Sequence, residues 1–167
     1  MKDIEQIYQE NALAVYKYVF CLCQNEDTAE EIVQETFAIA VKEMNHFRGD
    51  CKVLVWLCQI AKHIWYKELK RKKKNAIISI DEMTENIAFY SVEENFLEKQ
   101  DKLELFKSIQ KLEDNLKEVL YLRIMGNLTF GEIGEILNKT SNWARVTFYR
   151  GKEKIKEEWD NGKKDGM

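Results

Sequence analysis

Ile4, Ile7, Tyr8, Val15, Tyr18, Val19 and Leu22 recur at three- and four-residue spacing, which predicts a helix over 4–23. Asn25-Glu26-Asp27 reads as a turn, and Asp27 or Thr28 is placed to cap a second helix running from Thr28 to about Met44. Ile32, Val33, Phe37, Ala40, Val41 and Met44 form its apolar stripe. Glu30, Glu31, Gln34, Glu35 and Lys42 fall mostly on other faces and, from pattern alone, read as an ordinary solvated surface. The pattern breaks over 45–50, a predicted loop. A third helix is expected over 52–73, with a core side of Val53, Trp56, Leu57, Ile60, Ile64 and Leu69 and a strongly basic C-terminal end.

Residues 75–92 keep no sustained period and read as a linker, although Ile77, Ile78, Ile80, Ile87, Phe89 and Tyr90 suggest a segment that docks rather than floats. Helical spacing resumes near Glu93 with Phe96, Leu97, Leu103, Phe106, Ile109 and Leu112. A short helix with Leu116, Val119, Leu120 and Leu122 follows and closes at Asn127. Thr129 to Glu132 matches a capping box, Asn138 is a C-cap, and Thr140 or Ser141 opens the last helix.

Composition agrees with an all-α chain. There is no proline and there are only seven glycines among 167 residues, so little interrupts a helix. The charged N-terminus does not read as a signal peptide, and no window approaches the apolar length of a membrane span. Cys21, Cys23, Cys51 and Cys58 fit no common zinc spacing and read as free thiols in a reducing cytoplasm. The two histidines, His46 and His63, stand in no recognisable catalytic or metal pattern, so neither an enzyme nor a cofactor is expected.

Charge changes the picture through its distribution. The chain carries 29 Asp plus Glu against 26 Lys plus Arg. Yet Lys67–Lys74 has six basic residues and one acidic, and Arg145–Lys156 has five and one. Asp81–Glu104 between them has eight acidic and two basic. Two basic patches flanking an acidic connector suit a protein that meets a polyanion in two places.

The last helix is the more informative patch. Ala144, Phe148, Gly151 and Ile155 make a buried stripe, and the small residues allow close approach to the preceding helix. Asn142, Trp143, Arg145, Val146, Tyr149 and Arg150 lie opposite. A helix-turn-helix reader needs this arrangement: its N-terminal turns enter the major groove, and basic residues further along meet phosphates. In the first patch Trp56, His63, Trp65 and Tyr66 alternate with Lys62, Lys67, Lys70 and Arg71. That mixture suits unstacked bases, with Trp56 expected in the core and Trp65 or Tyr66 partly exposed.

Taken together, the motifs resemble a known family. The chain is similar to extracytoplasmic-function (group 4) sigma factors of the sigma-70 family of bacterial RNA polymerase, over roughly 4–73 and 100–157. DTAEEIVQETF, Asp27–Phe37, resembles the family's contact with the clamp of the polymerase β′ subunit, which implies Glu31, Gln34 and Glu35 as polymerase-binding residues. FRGDCKVLVWLCQIAKHIWYKELKRKKK, Phe47–Lys74, resembles the segment that opens the −10 element and holds a flipped base. That implies Phe47, Lys52, Lys62, His63, Tyr66, Lys67, Lys70 and Arg71 as −10 DNA-binding residues. His63, Lys67 and Val53 depart from the family's usual Asn, Asp and aromatic residue.

Leu112–Glu157 resembles sigma region 4, which implies Asn142, Trp143, Arg145, Val146, Tyr149 and Arg150 as −35 DNA-binding residues. Thr147 stands where arginine is usual, which would remove one phosphate contact. The resemblance implies two small helical domains joined by a flexible linker, 1–74 and 99–167 with 75–98 between, the second ending in a helix-turn-helix. Implied partners are core RNA polymerase (β′ clamp and β flap), promoter DNA and an anti-sigma factor, often membrane-anchored, for a cytoplasmic protein that is not itself in a membrane. The acidic connector then restrains DNA binding by the free protein or threads a basic polymerase channel. The rival reading is a stand-alone helix-turn-helix transcriptional regulator whose N-terminal bundle dimerises or senses a signal.

Overall fold

The structure, a computed structural model, describes residues 3–73 and 96–165. The linker expected over 75–98 lies almost wholly outside the described residues, as do Ile77, Ile78, Ile80, Ile87, Phe89 and Tyr90. Every regular element among the described residues is helical, and the chain divides into two units, 1–90 and 91–167.

In the first unit α1 (Ile4–Cys23), α2 (Glu26–Glu43) and α3 (Val53–Lys73) pack against one another. Helix α1 starts where Asp3 accepts a hydrogen bond from the Gln6 N–H at 2.8 Å. It ends at Gln24, held in the left-handed region at φ 56°. The cap of α2 is Asn25, not Asp27 or Thr28: its Oδ1 accepts from the Thr28 N–H at 2.9 Å. Asparagine fills that role well, so the helix begins two residues earlier than expected, and Glu26 and Asp27 join its acidic first turn. Its expected stripe holds at Ile32, Val33, Phe37 and Ala40, which are buried, but Val41 is exposed. Thr36 takes an inner place instead, its hydroxyl donating to the Ile32 carbonyl at 2.7 Å.

Helix α3 has the predicted length but a rotated core face. Val55, Leu57, Cys58, Ala61, Ile64 and Trp65 are buried, whereas Val53, Ile60 and Leu69 are only half-buried. Trp56, expected in the core, is half-buried too and stacks on Phe47 with ring centroids 4.7 Å apart. The cause is geometric. A helix packed against two neighbours buries a wide face, and the start of α3 is apolar nearly all round, so hydrophobicity alone does not fix its phase.

The second unit is built from α4 (Phe96–Gln110), α5 (Asp114–Leu120), α6 (Phe130–Leu137) and α7 (Ser141–Asp165). The short helix runs on past Leu120 as one wide turn, Tyr121–Met125, and Asn127 then reverses the chain at φ 54°. Leu120, Leu122, Leu128, Ile133 and Ile109 are fully buried, each worth about 1.5–3 kcal/mol of transfer free energy. Phe106 meets Tyr121 edge-on in the same core.

The capping box forms as read. The Thr129 hydroxyl accepts from the Glu132 N–H at 3.1 Å, and the Glu132 carboxylate accepts from the Thr129 N–H at 2.8 Å. Asn138 closes α6 at φ 57°, and the Thr140 hydroxyl caps α7 by accepting from the Trp143 N–H at 3.0 Å. On α7, Ala144, Gly151 and Ile155 are buried and Phe148 half-buried. The close approach at Gly151 is to Leu120 of α5, not to the preceding helix α6.

Candidate nucleic-acid interface

The sequence of α7 sorts its residues by helical spacing. With Ala144, Gly151 and Ile155 turned inward, Asn142, Arg145, Val146, Tyr149 and Arg150 are all exposed and share the outer side of the first three turns. Val146 and Tyr149 are large apolar groups left 41% and 55% accessible, three residues apart on that side. Trp143 is half-buried, and the Lys139 ammonium lies 5.5 Å from its ring centroid. The Arg145 guanidinium donates to Asn142 Oδ1 at 2.7 Å. Thr147 is buried, yet it borders the open groove along α7.

Arg145, Val146, Tyr149 and Arg150 also line an open groove of about 700 Å³, whose far wall is Glu113, Asn115 and Leu116 at the start of α5. Glu113 stands 3.8 Å from the Lys154 ammonium across it. The sequence pattern gave no hint of this groove, because its walls come from segments nearly thirty residues apart.

In the first unit His63, Tyr66, Lys67, Lys70 and Arg71 are exposed and recur every three or four residues, a single outer face of α3. Lys62 borders it, half-buried, with its ammonium 5.1 Å from the Tyr66 ring centroid. Trp65 or Tyr66 was expected to be at least partly exposed, and Tyr66 is, while Trp65 is buried. Arg71 hydrogen-bonds to Glu68, and that bond holds the Glu68 carboxyl below the ordinary glutamate range and raises Arg71. The charge of Glu31 on α2 raises Arg71 further, so the basic end of α3 lies near the acidic face of α2. Lys72 reaches Thr28 on that same helix, at 3.5 Å.

Phe47 is half-buried at the end of a short turn, Met44–His46, and is fixed by the Trp56 stack. Lys52 is exposed just before α3. Gly49, between them, adopts φ 78°, a left-handed conformation that favours glycine. Reading Trp56 as core missed this aromatic anchor. On α2, Glu31, Gln34 and Glu35 are exposed, and Ala38 and Val41 continue the outer face. His46 is exposed, 3.4 Å from the Glu43 carboxylate.

Among the described residues no cluster of His, Cys, Asp or Glu is placed to hold a metal. Cys21 and Cys58 are buried, and burial pushes the Cys58 thiol far up. Among the described residues no helix is long and apolar enough to cross a membrane.

A capped helix-turn-helix with a basic, aromatic outer face, preceded by a three-helix unit with a basic face of its own, defines a DNA-binding transcription protein. Comparisons with known proteins narrow the class. Residues 7–75 match the model of the family described as sigma-70 region 2. The chain is 28% identical to the RNA polymerase sigma factor YlaC of Bacillus subtilis, covering 92% of this chain and 90% of that protein. It is 26% identical to the ECF RNA polymerase sigma factor SigM of the same organism, covering 97% and 98%.

Among solved structures it is similar to the sigma factor RpoE of Bartonella quintana in complex with the anti-sigma factor NepR. The TM-score there is 0.70 at 18% identity, over 94% of this chain and 96% of that one. CnrH in complex with the cytosolic domain of CnrY matches at TM-score 0.61 and 16% identity, over 95% and 88%. Residues 7–75 thus carry the sigma-70 region 2 pattern, and nearly the whole chain is similar to extracytoplasmic-function sigma factors. It is an RNA polymerase sigma factor, directing transcription initiation rather than catalysing a reaction.

Proposed function

We propose that the two parts of the chain divide a promoter between them. Residues 1–74 bind core polymerase and the −10 element, residues 99–167 read the −35 element, and 75–98 link them. Glu31, Gln34 and Glu35 meet the β′ clamp. Phe47, Lys52, Lys62, His63, Tyr66, Lys67, Lys70 and Arg71 engage the opened −10 strand, aromatic rings against bases and cations against phosphates. Asn142, Trp143, Arg145, Val146, Tyr149 and Arg150 face the −35 duplex, with the second unit also seated on the β flap. An anti-sigma factor, anchored in a membrane or free, holds the protein inactive in the cytoplasm. RpoE and CnrH, which share the fold, were each solved with such a partner or its cytosolic domain.

The observation that carries this reading is the outer face of α7, where two arginines and two large apolar side chains stand exposed on one side of a capped recognition helix. Arginine pairs with guanine O6 and N7, and valine or an aromatic ring meets a thymine methyl. Run-off transcription with purified protein and bacterial core polymerase on pooled genomic fragments tests it. Transcripts that depend on the added protein should share −35 and −10 elements. Arg145→Ala with Arg150→Ala should reduce them by roughly tenfold or more, since each good base contact is worth about 1–3 kcal/mol. Tight binding of the free protein, as a dimer, to a palindromic duplex with no stimulation of polymerase would overturn the reading.

A further inference from the structure

Asn142 and Arg145 lie one helical turn apart at the start of α7, both exposed. The Arg145 Nη2 donates to Asn142 Oδ1 at 2.7 Å. Two consequences follow from the donor inventory. A guanidinium has five N–H donors, so one bond to Asn142 leaves enough for a paired approach to guanine O6 and N7. Asparagine reads adenine by using its amide oxygen and its amide nitrogen together, and here the oxygen already accepts from Arg145, so an adenine would have to share it and fit the orientation the guanidinium sets. An exposed pair at this spacing adds little to folding. A long arginine chain held before DNA arrives loses less freedom on binding than a loose one.

Resting on the promoter reading above, we infer that Asn142 is a positioning residue: it aims Arg145 at a guanine of the −35 element and reads no base itself. The carboxamide orients the guanidinium, and the guanidinium carries the specificity. Val146, one residue on and exposed, then meets the neighbouring base pair.

The test uses the full chain with bacterial core polymerase and a promoter pool randomised through the −35 element, with base preference measured at each position from the transcripts. The wild-type protein should prefer guanine at one position, and Arg145→Ala should abolish that preference. Asn142→Ala should weaken it at the same position by roughly three- to tenfold, leaving other positions unchanged. The double variant should match Arg145→Ala alone. Asn142→Asp keeps an acceptor oxygen, so it should retain the guanine preference even if total output falls. An unaltered profile for Asn142→Ala, or loss of an adenine preference elsewhere, overturns the assignment. So does a guanine preference that survives Arg145→Ala. If the wild-type protein drives no promoter at all, the promoter reading falls and the pairing falls with it.

Discussion

Gly134 and Gly151 are both glycines inside helices of the second unit, but their surroundings set different costs for a side chain. A Cβ on Gly134 would lie 2.6 Å from the Lys139 carbonyl oxygen and 3.1 Å from the Thr140 carbonyl carbon, where the turn folds back over α6. Backbone cannot yield there without opening the helix-turn-helix. On Gly151 it would lie 2.8 Å from Leu120 Cδ1, a side chain that can rotate, though in a packed core. Gly134→Ala should therefore destabilise by about 3 kcal/mol or more. Gly151→Ala should cost less, since the Leu120 side chain can shift where backbone cannot, and the roughly 1 kcal/mol of helix propensity regained is common to both. Thermal denaturation of the two variants orders them, and equal melting temperatures would show the turn to be looser than drawn. Glu68 offers a pH readout at the same scale. Its folded pKa lies below the ordinary value because Arg71 bonds to the carboxylate. Its small contribution is thus complete above the unfolded pKa and disappears as pH falls through the folded one. Proton-resolved titration should find Glu68 below the glutamate range, and Arg71→Ala should return it there.

At the level of elements, most caps and exposed faces were legible in the sequence, while contacts between distant segments were not. The Thr129–Glu132 box is local, because four residues contain both partners, and it formed as read. Thr129→Ala should cost the second unit about 1 kcal/mol by denaturant unfolding. The face His63, Tyr66, Lys67, Lys70 and Arg71 was legible because solvent accepts charge wherever helical spacing leaves it outside. By contrast the phase of α3 depends on where α1 and α2 sit, and no run such as VLVWLCQIA declares that. The same limit hid the Phe47–Trp56 stack, which joins a loop to a helix, and the groove walled by Glu113 and Arg150. The N-cap of α2 was misplaced for another reason: Asn25, Asp27 and Thr28 are all competent caps, and only the path of the preceding turn selects Asn25. Trp56→Ala should lower promoter opening more than it lowers folding stability, because the half-buried ring holds Phe47. Permanganate footprinting of the −10 element beside thermal denaturation would separate the two effects.

Across the whole molecule the charge has one origin. The net charge is −3, yet Asp81–Glu104 alone holds eight acidic and two basic residues, a net of −6. The rest of the chain is therefore positive, and the connector reverses its sign. A free protein with two basic faces should otherwise bind DNA without selectivity, since that binding follows phosphate neutralisation and falls steeply with salt. A tethered anionic segment would compete with phosphates for a basic face only where it came within about one Debye length of it, roughly 10 Å at 0.1 M salt. Replacing Asp81, Glu82, Glu85, Glu93 and Glu94 by their amides removes five negative charges without touching α4, moving the net charge from −3 to +2. That variant should bind nonspecific duplex DNA several-fold more tightly than the parent at low salt, with the difference shrinking as salt rises. Fluorescence anisotropy of the free protein across a salt series measures it, and run-off transcription shows whether holoenzyme activity changes alongside. If both the binding curves and the transcription stay the same, the connector is only a spacer, and the reason for an acidic sigma factor must be sought on the outer face of α2 instead.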